Sequence, residues 1–247
     1  MRTVSDVAYG KNEWEKVDFY LPDADRFDTI FWIHGGGIEA GDRKSFDFAE
    51  DLVRAGYAVA SVEYRLYPQA RFPEFIVDCA NALAFCQKKL PEMGGNGSVI
   101  VSGQSAGAYI TCMLYLNPQF FADAGVDSSK IKAFVSDSAQ VTAHFNVLRE
   151  RGIDSRLERI DETAPIYYLN ANTELKPLLL IYYSDDMPCR GTQNRLLFES
   201  FRRLFSDPLI KVVELPGVHC AGSNNRNETG TFDYVDTMLS FLTEMGD

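Results

Sequence analysis

Residues 98–116 read SVIVS, then GQSAG, then AYITCMLYL. The first run is short, apolar and β-rich, which predicts a strand over 98–102. The last is apolar throughout and long enough for a helix over 105–116, which Asn117-Pro118 closes. Between them stands Gly103-Gln104-Ser105-Ala106-Gly107, a G-x-S-x-G pattern. Composition alone would place such a pattern in roughly one chain in ten of this length, so its setting carries the weight. A strand–turn–helix context makes it a nucleophile elbow. The sharp turn lifts the serine oxygen clear of the sheet and leaves no room for side chains at either glycine. The new helix directs N–H groups and its positive end at the point where negative charge would develop. The competing reading, a glycine-rich turn with a passive serine, does not explain why strand and helix meet there.

Outward from this stretch, strands and helices alternate. Upstream, 15–21, 29–34 (TIFWIH) and 57–64 (YAVASVEY) read as strands, with helices over 46–55 and 72–90. Downstream, strands are expected over 131–135, 178–183 (LLLIYY) and 209–215, with helices over 193–205 and 232–245. This alternation predicts the α/β class: a mostly parallel sheet covered on both faces, with ligands bound beyond the carboxyl ends of its strands. No repeat, low-complexity tract or linker divides the chain, so one domain is expected over 1–247, with 139–172 as a short cap insertion.

His34-Gly35-Gly36-Gly37 follows the strand TIFWI. Consecutive glycines let bare N–H groups approach a ligand oxygen, and a loop of this type forms half of an oxyanion hole in serine esterases. The expected donors are Gly36, Gly37 and Ala106, with His34 holding the loop. A phosphate cradle is the alternative, but neither G-x-x-x-x-G-K-[ST] nor G-x-G-x-x-G occurs. A serine nucleophile needs a base, and the chain has three histidines, His34, His144 and His219. His219 follows the strand 209–215 in PGVHCAG, in the order Ser, acid, His that such folds use. Three carboxylates are candidates for the acid: Asp185 and Asp186 after LLLIYY, and Asp137 after IKAFVS.

The formal charge of −11, from 24 Lys plus Arg against 35 Asp plus Glu, argues against nucleic acid or an anionic membrane as partner. The N-terminus has no apolar core of a signal peptide and no stretch has the length of a membrane span. Five cysteines show no framework spacing. Cys79 and Cys86 fall about 10 Å apart along one helix, too far for a disulfide. Reduced thiols and a cytoplasmic protein are expected. No H-E-x-x-H occurs, and no metal is expected.

VDFYLP (17–22), HGGG (34–37), GDRK (41–44), EYRLYPQARFPEFIVDC (63–79), GQSAG (103–107), SDDMP (184–188) and GVHCAG (217–222) together resemble the small α/β-hydrolase esterases related to hormone-sensitive lipase. The likeness is to the lidless bacterial group that includes feruloyl-esterase-like proteins and kynurenine formamidase. The resemblance implies the α/β-hydrolase fold, hydrolysis of a small-molecule carboxylic ester through an acyl-enzyme, and no cofactor. Its register selects Asp186 as the acid, completing a triad Ser105, Asp186, His219. The chain departs from the pattern at Tyr183, where glycine is common, at Ile38, where an aromatic residue often follows HGGG, and at Gln104, read as without consequence. The 139–172 insertion is short and charged, so small acyl groups are expected; Phe145, Tyr167 and Tyr168 are candidates for an aromatic subsite. Two alternatives share the scaffold: an arylformamidase or amidase with the same triad, and a non-catalytic binding protein, which would typically lack one triad member.

Overall fold

Alternate residues of each central strand serve opposite faces of one sheet, as period-two side-chain geometry requires. The computed structural model describes residues 1–207 and 209–246. In chain order it contains β1 (Arg2–Ala8), β2 (Lys16–Leu21), β3 (Thr29–Ile33), α1 (Ala49–Arg54), β4 (Ala58–Val62), α2 (Glu74–Lys89) and β5 (Val99–Gln104). There follow α3 (Ala106–Leu116), α4 (Gln119–Ala124), β6 (Ile131–Asp137), α5 (Phe145–Glu150), β7 (Leu178–Asp185), α6 (Arg190–Leu204), β8 (Ile210–Val218), α7 (Ala221–Asn224) and α8 (Asp233–Gly246). The eight strands form one sheet in the order β1-β2-β4-β3-β5-β6-β7-β8. β1 and β2 run antiparallel at one edge, and β4, β3, β5, β6, β7 and β8 run parallel.

On β3, Phe31 and Ile33 join one core while Ile30 and Trp32 join the other. On β7, Leu178 and Leu180 divide from Leu179 and Ile181 in the same way. The first core lies under α2, α3 and α6, represented by Phe75, Tyr109 and Phe201. The second lies under α1 and α8 and is aromatic: Trp32, Phe48 and Tyr234 are in mutual ring contact at 4.9–5.7 Å. Such contacts add to the area each ring buries. Tyr234 also reaches Ser102 of β5 with its hydroxyl (2.5 Å), tying the last helix to the strand that ends at the elbow.

Several boundaries differ from the sequence expectation, and each difference has a cause. Strand β1 was not anticipated. Its register breaks between Val4 and Val7 and Asp6 takes φ 59°, so its two inward residues are three apart and the period of two is lost. Helix α1 begins at Ala49 rather than near 46, because Phe46 and Phe48 are spent on the Trp32 cluster. Helix α4 begins after Pro118, so that proline both ends one helix and opens the next. Strands β5, β6, β7 and β8 each run past the expected end, to Gln104, Asp137, Asp185 and Val218. All five cysteines are free, four of them buried. No helix among the described residues is long and apolar enough to cross a membrane.

Helix α3 packs onto β3 at Gly107, where a Cβ would lie 2.0 Å from the Ile33 carbonyl oxygen. Gly56 also has a positive φ (93°) but nothing lies within 4 Å of its would-be Cβ. Gly107→Ala is therefore expected to yield insoluble protein or to destabilise it by more than about 4 kcal/mol, in the range that overpacking a core can reach. Gly56→Ala should cost only about 1–2 kcal/mol of backbone strain. Thermal unfolding of the two variants checks the contrast, and equal shifts would contradict it.

Candidate active site

The elbow is assembled by backbone contact. A Cβ on Gly103 would meet the Gly107 carbonyl carbon at 2.4 Å, and one on Gly107 would collide with Ile33. Both glycines are thus required where β5 turns into α3. Ser105, between them, has φ 54° and ψ −111°, a strained conformation that side chains other than glycine rarely adopt. Its N–H donates to the Asp137 carbonyl (2.7 Å) and its carbonyl accepts from Tyr109 N–H (3.0 Å), which hold the turn at both ends.

His219 follows directly after β8, and its Nε2 accepts from the Ser105 hydroxyl at 2.8 Å. The other ring nitrogen, Nδ1, donates to Asp186 Oδ1. The remaining carboxylate positions of Asp186 are filled: Oδ2 accepts from the Ser138 hydroxyl (2.9 Å) and Tyr183 N–H (3.2 Å), and Oδ1 from Met187 N–H (2.7 Å). Burial alone would raise this carboxyl's pKa, but the hydrogen bonds and charge of His219, with Ser138 and Met187, outweigh it and hold the group below its ordinary value. Asp186 is therefore an anion that fixes the tautomer of the ring. Asp185 lies in solvent with the Ser184 hydroxyl donating to it (3.1 Å). Asp137 is fully buried but turned to Ser223, whose hydroxyl donates to its Oδ2. The structure thus brings Ser105, His219 and Asp186 together and keeps the other two aspartates away from the ring.

The glycine loop is locked from three sides. His34 is buried, stacked on Tyr64 at 4.3 Å and 18°, with Nδ1 donating to the Gly35 carbonyl (2.8 Å). The Tyr64 hydroxyl donates to the His34 carbonyl (2.8 Å). Asn146 of α5 donates to the Gly37 carbonyl (2.7 Å), so the 139–172 insertion clamps the loop. At Gly36, φ is 102° and a Cβ would fall 2.0 Å from the Ala40 carbonyl oxygen. Among the described residues, the N–H groups of Gly36, Gly37 and Ala106 have no protein acceptor. His144 is buried and caps α5, its Nδ1 accepting from Asn146 N–H (3.2 Å). Burial first, then Arg190 and Arg149, push its pKa well below the ordinary histidine value, leaving it neutral.

Sequence reasoning missed a buried brace behind the triad. Gln104, read above as without consequence, donates from Nε2 to the Ser223 hydroxyl and to Asn224 Oδ1, both at 2.7 Å. Ser223 passes the link on to Asp137, while Tyr183 accepts from Gly222 N–H (3.1 Å). The residue before the serine is thereby wired to the helix after the histidine. At Tyr183, where the family pattern commonly has glycine, the hydroxyl supports that helix. No local sequence signal could reveal a bond spanning 119 residues.

A profile of the BD-FAE family matches residues 17–135, just under half of the chain. Among curated proteins, the chain is 28% identical to esterase LipC of Mycobacterium tuberculosis over 206 residues, covering 75% of this chain and 49% of LipC. It thus spans about half the length of that relative. Among solved structures, a truncated carbohydrate esterase from gut microbiota is 16% identical with a TM-score of 0.77, covering 100% of this chain and 97% of that one. Esterase 2 of Thermogutta terrifontis with propionate bound is 20% identical with a TM-score of 0.76, covering 97% and 93%. The chain has the α/β-hydrolase fold, as its motifs implied, and in sequence it is similar to the BD-FAE profile and to a mycobacterial esterase.

Asp137 carries the opposite shift from Asp186: burial raises its pKa to about 6, only partly offset by the Ser223 and Tyr183 hydroxyls. A carboxyl whose folded pKa is raised contributes stability at low pH and loses it as pH rises through the folded value. At pH 8 the folded state therefore holds a buried carboxylate, a penalty of roughly 2 kcal/mol relative to pH 4. Asp137→Asn keeps an oxygen for Ser223, and its amide can occupy the unpartnered Oδ1 position. The variant is expected to be stabilised relative to wild type more at pH 8 than at pH 5 in urea unfolding; a pH-independent difference would refute the buried-acid assignment.

Proposed function

We propose that the protein is a serine carboxylesterase acting on esters of small acyl groups. The observation that carries this reading is the continuous hydrogen-bonded line Ser105–His219–Asp186 beside N–H groups without acceptors. In the mechanism it supports, Ser105 Oγ attacks the ester carbonyl carbon as its proton passes to His219 Nε2. The carbonyl oxygen becomes an oxyanion held by the N–H groups of Gly36, Gly37 and Ala106, each contributing about 3–4 kcal/mol. Collapse breaks the bond to the leaving alkoxide, which takes the proton back from His219. Water then repeats the sequence on the acyl-enzyme: His219 takes its proton, hydroxide adds to the carbonyl, and Ser105 leaves reprotonated with the acid released. The Asp186 anion stabilises the imidazolium in both halves.

The small-acyl preference rests on the insertion. It runs through α5 and a 3₁₀ turn at Pro165–Tyr168. Its outer surface interleaves the ion pairs Arg151–Asp161 (3.3 Å), Arg159–Asp161 (2.7 Å) and Arg156–Asp154 (2.6 Å) with exposed Leu157, Ile160 and Tyr167, so charge breaks up the apolar face that a lipase lid would present. Phe145 faces Gly37: a Cβ there would meet its ring at 3.2 Å, which narrows the space beside the oxyanion position. Tyr167 lies exposed and the Tyr168 hydroxyl donates to the Glu162 carbonyl (2.8 Å), so Phe145 is the aromatic residue placed to meet substrate. The bound propionate in the Thermogutta esterase is of the size this reading expects.

Ser105→Ala should reduce hydrolysis of 4-nitrophenyl acetate below about 1% of wild type, and a phosphonate should label Ser105 alone; retained activity would overturn the mechanism. Asp186→Asn should cost about 10⁴ in kcat, the loss the same change causes in another serine hydrolase. Asp137→Asn should cost under about tenfold, since Asp137 does not touch the ring. Acetyl and butanoyl esters should turn over faster than dodecanoyl esters, with aryl formamides run beside them. A dodecanoyl preference would contradict the acyl-size reading, and a formamide preference the ester reading.

A further inference from the structure

Arg190 is a buried cation without a carboxylate. Only 3% of its surface is exposed, and Nε and Nη1 have no hydrogen-bond partner. Its Nη2 donates to the neutral side-chain oxygen of Gln140 at 3.2 Å. Arg190 joins no ion pair among the described residues; the charges of Asp186 and Glu158 act on it, but neither carboxylate bonds to it. Removing a guanidinium from water without a counter-ion is among the most expensive things a fold can do with a side chain. A brace for α6 could have been built from a neutral residue. A second idle donor lies in the same neighbourhood: since His144 Nδ1 accepts from Asn146, its unpartnered Nε2 carries the proton.

Arg190 forms part of the wall of a cavity of about 280 Å³ that Gln140, Phe145, Glu158, Met187 and Gln193 also line. The triad residues do not line the cavity, but two of its lining residues connect to the candidate site. Phe145 borders Gly37 of the glycine loop, and Met187 is the residue after Asp186. The wall also holds Arg156, which is paired with Asp154, and Glu158, whose Oε2 accepts from Thr142 and Gln193 (both 2.7 Å). Those two charges lie at the solvent-exposed rim, so Arg190 is the one buried charge in the wall. A larger cavity, about 680 Å³, lies at the opposite end of the sheet near Tyr115 and Phe134, remote from the serine.

We propose that the 280 Å³ cavity receives a carboxylate carried by one half of the substrate ester, with Arg190 as its counter-ion. This deepens the esterase reading and rests on it. Because the free donors lie beneath the wall, the guanidinium must swing by a side-chain torsion to meet the anion. It gives up its bond to Gln140, whose oxygen keeps Phe145 N–H as donor (3.2 Å). The chain's net charge of −11 repels anionic esters in general, so a preference for them would need a local cation of this kind.

Two pairs of esters separate the halves. 4-Nitrophenyl hemisuccinate against 4-nitrophenyl pentanoate places the carboxylate on the acyl side, and 4-carboxyphenyl butanoate against 4-carbamoylphenyl butanoate places it on the alcohol side. At least one pair should show about a tenfold higher kcat/KM for the anion, carried by KM and weakened by added salt. In Arg190→Met the ratio within that pair should fall below about twofold, with Arg190→Lys between the two. If Arg190→Met does not fold, inhibition of wild-type 4-nitrophenyl acetate hydrolysis decides: succinate should inhibit at about tenfold lower concentration than succinamide. No preference in either pair, an unchanged ratio in Arg190→Met, or equal inhibition by the two compounds would overturn the proposal. Hydrolysis of the neutral esters reports on the esterase reading itself, so the two failures are distinguishable.

Discussion

At Gly107 the backbone of helix α3 comes so close to the Ile33 carbonyl that a methyl group would overlap it. Strand β3 delivers the glycine loop and strand β5 delivers the serine, and this contact sets the distance between them. Gly35 repeats the constraint one step on, since its Cβ would sit 3.0 Å from the Gln104 carbonyl oxygen and 3.3 Å from Ser105 Cβ. Two stretches separated by about seventy residues of sequence therefore meet as backbone against backbone. Side chains could not give the same precision, because they turn about their torsions while peptide groups do not. Gly35 and Gly107 thus remove the side chains that would hold the glycine loop and the elbow apart.

Two buried aspartates at neighbouring strand ends show how surroundings divide one chemical group into two. Asp186 sits among donors and stays charged. Asp137 is more deeply buried, has an oxygen without a partner, and holds its proton more tightly. The difference lies in deeper burial at Asp137 and in the hydrogen bonds and charge of His219 at Asp186. Asp137 passes order from the elbow to α7 through Ser223, a task that needs an acceptor but no charge. Asp186 bonds to an imidazole that becomes cationic in the proposed mechanism, a task that needs the charge.

The elbow and the glycine loop were legible in the sequence because each is a local device: a few contiguous residues specify a turn, and the flanking apolar runs identify its setting. His219 was legible by elimination among three histidines. The acid was not readable from periodicity, which left Asp137, Asp185 and Asp186 as equals, because the side a strand tip faces depends on where its pleat ends; β7 continues to Asp185, and only the family register anticipated Asp186. Gln104, Ser223, Tyr183 and Asn146 were invisible because their partners lie far off in sequence, and a polar residue destined for a buried bond looks like one destined for solvent. Strand β1 was lost to a bulge, which breaks the only signal a half-exposed edge strand has.

The bond from Tyr234 to Ser102 acquires another meaning when the order of synthesis is considered. The ribosome releases the elbow long before β8, α7 and α8, so a nascent chain holds a strained serine with neither its base nor the helix that closes the aromatic face. Trp32 and Phe48 remain uncovered until Phe232 and Tyr234 arrive. Completion of the reactive centre and closure of that face are thus one late event, separated by fewer than twenty residues of sequence. An interrupted chain would lack His219 and leave its aromatic face open, and so be a ready target for the cell's machinery of protein disposal.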